Sequence, residues 1–120
     1  MASHQRELTG SVDDLVAHLE TEIVRTSATG KFEDGSDTTL DGARMVVRVY
    51  ERFSAAGSSR VSLSFSILAV GDRMAVTAVT SGGSQAMFFK INTWGEETFL
   101  EKAVQALDSF NDRGASTAFL

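Results

Sequence analysis

Val61-Ser62-Leu63-Ser64-Phe65-Ser66-Ile67-Leu68-Ala69 decides the fold, because apolar residues hold every odd position and serine holds 62, 64 and 66. A period of two sends successive side chains to opposite faces, so this stretch is a half-buried strand with one apolar and one hydroxyl-bearing side. Small residues from Ser54 to Ser59 make a loop before it, and Gly71-Asp72 turns it back into a strand from Met74 to Thr80. Ser81-Gly82-Gly83-Ser84 then turns the chain into Ala86 to Ile91. Short connections between consecutive strands predict an antiparallel meander.

Upstream, Ala43 to Phe53 alternates as well. Met45, Val47, Val49 and Phe53 share one face with Glu51, and Arg44, Arg48 and Arg52 share the other. The apolar set is expected on the core and the arginines on the solvated face. Ala28 to Glu33 is expected as a short strand, with Asp34 to Gly42 as a loop rich in turn residues, and His4 to Thr9 as a first strand.

Two segments carry a helical period instead. Ser11 caps a first turn containing Asp13 and Asp14, and Val12, Leu15, Val16, Leu19 and Ile23 follow on one face as far as Arg25 to Ser27. Thr93-Trp94-Gly95-Glu96 has the capping-box spacing, and Phe99, Leu100, Ala103, Val104, Leu107 and Phe110 form the second stripe. Both stripes must be buried, and the apolar face of the sheet is the surface that buries them. The expected architecture is therefore α+β and two-layered, β-α-β4/5-α, with two helices on one face of a meander. That order resembles the TATA-binding-protein-like and helix-grip groups of folds. One domain spans 1–113, followed by a mobile tail at 114–120.

Composition narrows the function. The 120 residues lack cysteine, which removes disulfides, thiolate metal sites and cysteine nucleophiles and fits a reducing, cytoplasmic address. No apolar run nears the ~18 residues of a membrane span, and the N-terminus has no signal-type stretch. A net charge of −5 argues against nucleic acid as a partner.

Three words stand out between Gly35 and Leu100: Val49-Tyr50-Glu51-Arg52, Thr80-Ser81-Gly82-Gly83-Ser84-Gln85, and Phe88-Phe89-Lys90-Ile91-Asn92-Thr93-Trp94-Gly95-Glu96-Glu97. Through them this stretch resembles a family of small, functionally uncharacterised bacterial proteins. The resemblance implies a bacterial origin and brings no activity or catalytic residues.

Candidate sites are few. Ser81, Gly82, Gly83, Ser84 and Gln85 could form an anion-binding nest with Lys90, although turn geometry already accounts for the glycines. Arg44, Arg48 and Arg52 could grip carboxylate or phosphate on a face shared with Ser62, Ser64 and Ser66. Small serines would equally let a second sheet approach, and Phe88 or Phe89 must leave the core because neighbours on a strand point opposite ways. Glu51 among apolar neighbours is a carboxylate to watch, expected in a salt bridge. His4 and His18 have no recognisable nucleophile or base partner. Glu33, Asp34, Asp37 and Asp41 lack EF-hand spacing, so no metal or other cofactor is expected. The expected function is a non-enzymatic homodimer offering an interaction surface, with a carrier of a small apolar or anionic ligand between sheet and C-terminal helix as the alternative.

Overall fold

The computed structural model describes residues 2–25, 29–53, 60–82 and 98–110. Strand β1 (Ala2–Thr9) leads into helix α1 (Val12–Glu20), which widens into a π-helical turn at Thr21–Arg25. Strands β2 (Lys31–Leu40), β3 (Ala43–Phe53), β4 (Arg60–Val70) and β5 (Arg73–Gly82) follow, then helix α2 at residues 98–110. The sheet order is β1-β5-β4-β3-β2, antiparallel throughout and, among the described residues, open at both edges. Because β1 and β2 lie at opposite edges, α1 must carry the chain across one face. The α+β meander with both helices on that face is the architecture the alternation predicts. The strand expected at 86–91 and the capping box at 93–96 lie outside the described residues, as do 111–120.

Local chemistry accounts for these elements. Ser11 Oγ accepts the Asp14 N–H at 3.3 Å, which starts α1. Val12, Leu15, Leu19 and Ile23 are buried along it, as are Phe99, Ala103, Leu107 and Phe110 along α2. They close over Leu63, Phe65 and Ile67 of β4 and over Met74, Val76 and Ala78 of β5. His18 joins the helices: its Nε2 stands 2.8 Å from both the Ala106 carbonyl and Ser109 Oγ. A carbonyl can only accept, so Nε2 carries the proton. Arg6 on β1 pairs with Asp108 of α2.

Two segments depart from the expected pattern. Residues 34–40 are a strand and not a loop. The turn is only Asp41-Gly42, with φ of 51° and 83°, a backbone twist suited to a two-residue hairpin. A bulge at Glu33, between the Phe32↔Tyr50 and Asp34↔Val49 pairs, lets the strand continue. In β3 the faces are exchanged: Val46 and Tyr50 are buried under the helices, whereas Met45 and Phe53 are exposed on the other side. Pairing with β4 imposes this, since Val46 lies opposite Ile67 and Tyr50 opposite Leu63. Arg44, Arg48 and Arg52 thus share the helix face, correcting the expectation that they lie opposite the helices.

Candidate functional site

The face of the sheet that neither helix covers is built from three central rows. Met45, Leu68 and Ala75 stand side by side, then Val47, Ser66 and Thr77, then Val49, Ser64 and Val79. None of the nine is charged. Charges on this face belong to its margins, with Glu7 paired to Arg73 and Glu51 paired to Arg60. At one end the surface becomes strongly apolar: Leu40 is 73% exposed, Val70 59%, Leu68 42% and Met45 38%. Ordinary solvated sheet faces alternate polar residues against the core; this one presents valine, leucine and methionine around small hydroxyls.

Of the residues expected on an interaction face, Ser62, Ser64 and Ser66 are here. Ser62 Oγ lies 3.1 Å from Ser81 Oγ and 3.3 Å from the Ser81 carbonyl, closing the row beyond Val49. Arg44, Arg48 and Arg52 are absent from it. Phe88 lies outside the described residues.

The expected anion nest is only partly described. Ser81 and Gly82 are ladder residues of β5, opposite Ser62 and Val61, and not the start of a turn. Gly82 has φ of 115°, and a Cβ there would stand 2.7 Å from the Arg60 carbonyl, so backbone packing already requires glycine. Gly83, Ser84, Gln85 and Lys90 lie outside the described residues.

On the helix face the arginines staple β3 to its neighbours. Arg44 donates Nε–H and an Nη2–H to the two oxygens of Asp37 at 2.9 and 2.7 Å, and reaches Asp13 of α1 at 3.0 Å. The guanidinium holds the Asp37 carboxyl below the usual carboxylate range, and the two acids raise the Arg44 pKa in return. Arg48 pairs with Glu20, donates Nε–H to the Tyr50 hydroxyl at 3.2 Å and lies 4.0 Å over the Phe32 ring. Burial pushes the Tyr50 phenol up, opposed by Arg48. A cleft of about 480 Å³ runs between α1 and β2 beside these pairs.

Sequence reasoning missed the His18 clasp, for which the signal was only a histidine near the apolar stripe. With Nε2 as a donor to Ala106, and Ser109 Oγ also donating to that carbonyl at 3.0 Å, the ring nitrogen that faces the hydroxyl has no lone pair to activate it. Asp34 accepts its neighbour's Gly35 N–H and Asp37 is committed to Arg44. Among the described residues no cluster of three histidines or acids is disposed to hold a metal, and no helix is long and apolar enough to cross a membrane. No curated protein and no solved structure matches the chain. A family model described as "Family of unknown function (DUF6054)" matches residues 1–111, and the chain belongs to that family.

Proposed function

We propose that this chain is a non-enzymatic domain that self-associates face to face through the helix-free side of its sheet and serves as an interaction module. The observation that carries the reading is the uncharged centre of that face, with Leu40, Met45, Leu68 and Val70 exposed beside it and charges confined to the margins. An uncharged centre with an apolar patch at one end and charges at the margins supports an interface on this face. Its size also suits a second copy: five strands about 4.8 Å apart, each of about ten residues rising about 3.3 Å, present about 800 Å², close to what one partner buries in a standard interface. Ser64 and Ser66 at the centre keep side chains short where two sheets meet. A bacterial cytosol is the setting we propose, supported by the cysteine-free composition and by the resemblance carried between Val49 and Glu97.

The carrier reading finds less support. Along the described part of α2, Phe99, Ala103 and Leu107 are fully buried against the sheet.

Sedimentation equilibrium across a concentration series tests the proposal. The wild type should fit a dimer, and Leu68→Glu and Met45→Glu should each sediment as monomers with helical circular dichroism unchanged. A wild type that stays monomeric at its highest soluble concentration, or two variants that associate as before, sinks the reading.

A further inference from the structure

The three arginines of β3 do not have equivalent surroundings. Arg44 and Arg48 are each met by carboxylates, Arg44 by Asp37 and Asp13 and Arg48 by Glu20. Arg52, one more step along the same face, has none among the described residues. Its guanidinium lies 4.3 Å from the Phe99 ring, and its buried Nε has no hydrogen-bond partner among the described residues. Burial accordingly lowers its pKa. A ring face satisfies charge but not the in-plane N–H donors, and buried donors in folded proteins are nearly always paired.

Arg52 also lines a cleft of about 420 Å³ at the end of the sheet where β2 and β4 begin and β3 ends. Lys31 and Arg60 line it too. Both stand 3.6 Å from Glu33, a loose contact, and Arg60 also meets Glu51. Three cations against two carboxylates leave a local positive excess on a chain whose net charge is −5. Thr29 Oγ1 accepts the Phe53 N–H at 3.1 Å, which leaves its own proton to donate, and the half-exposed Phe53 ring forms an apolar wall.

We propose that this cleft binds a small molecule bearing a phosphate or carboxylate group, with Arg52 as the residue that grips the oxyanion. The planar guanidinium offers its Nη–H donors to the oxygens of such a group, while Nε stays buried behind them. Lys31 and Arg60 exchange their loose contacts with Glu33 for the ligand, and Phe53 packs on its apolar part. The volume is that of a small-ligand site. The site stands apart from the central rows of the open face and is independent of the self-association reading.

Isothermal titration calorimetry with inorganic phosphate and, separately, acetate at constant ionic strength tests this on the intact chain. Saturable heat is expected with at least one anion, unchanged in Arg73→Gln, a cation at the far end of the sheet. Arg52→Gln should weaken binding about tenfold or more. The Arg52 Nε–H resonance of the wild type should shift along the same isotherm, a readout independent of any variant's folding. Preference for phosphate or acetate identifies which oxyanion the site takes. Absence of saturable heat with both anions, an unmoved Arg52 resonance, or full binding by a folded Arg52→Gln overturns the proposal.

Discussion

Tyr50 is fully buried, yet its hydroxyl accepts from Arg48, which in turn reaches Glu20 on α1. Removing the hydroxyl leaves the guanidinium one acceptor short, so Tyr50→Phe should cost about 1–2 kcal/mol in urea unfolding. The same variant isolates a pH effect. Burial raises the Tyr50 pKa above its ordinary 10.0, so the unfolded chain loses the proton first as pH rises. Stability that is intact below that value is lost as pH climbs through the higher folded pKa, and the loss should vanish in Tyr50→Phe. Asp37 runs the opposite way. Its hydrogen bonds from Arg44 depress the pKa, so its contribution holds above the ordinary carboxylate range and fades as pH falls through the folded value. The pair is exposed, so the difference between wild type and Asp37→Asn should be small, shrink with salt and disappear in acid. A difference that grows as the carboxyl protonates would rule out this pairing.

The elements were legible where one face is purely apolar. β4 read cleanly because serine occupies alternate positions, and α2 because Phe99, Ala103, Leu107 and Phe110 repeat at helical spacing. β3 did not, because both of its faces contain valine and its helix face carries three arginines whose long stems can lie along apolar neighbours while the heads find carboxylates. Period two reports that a strand exists, but the neighbour to which it pairs decides which face is buried. β2 was harder still, with all ten residues exposed at an edge and its rhythm broken by the bulge at Glu33. Its one strong signal was Asp41-Gly42, a hairpin dipeptide, masked by the polar residues around it. The open face is therefore half visible in the sequence: alternation places its serines there, whereas Met45, Val47 and Val49 read as core residues. At this scale α2 offers a plain test. Leu107 is fully buried, and Leu107→Ala should cost about 2–5 kcal/mol by chemical denaturation. Gly42→Ala meets no atom within 4 Å, so it should cost only the strain of a positive φ, about 1 kcal/mol.

For the whole molecule the two faces of β4 make opposite demands, and adjacent residues can be used to separate them. Leu63 is fully buried under the helices opposite Tyr50 and Thr80, whereas Ser64 sits at the centre of the open face between Val49 and Val79. A tryptophan at position 63 would have to displace packed neighbours, so Leu63→Trp should lower stability by about 1–3 kcal/mol. Arginine at position 64 would bring a long charged side chain to the surface that the proposed dimer closes. Ser64→Arg should give monomers by sedimentation with circular dichroism intact. Its unfolding midpoint should also stop rising with protein concentration, because only a dimer gains stability by mass action. If Leu63→Trp instead remained as stable as wild type, space would exist beneath the helices and the carrier reading would regain ground. If Ser64→Arg still associated, the second copy would have to meet some other surface, and the uncharged rows of the open face would await a different partner.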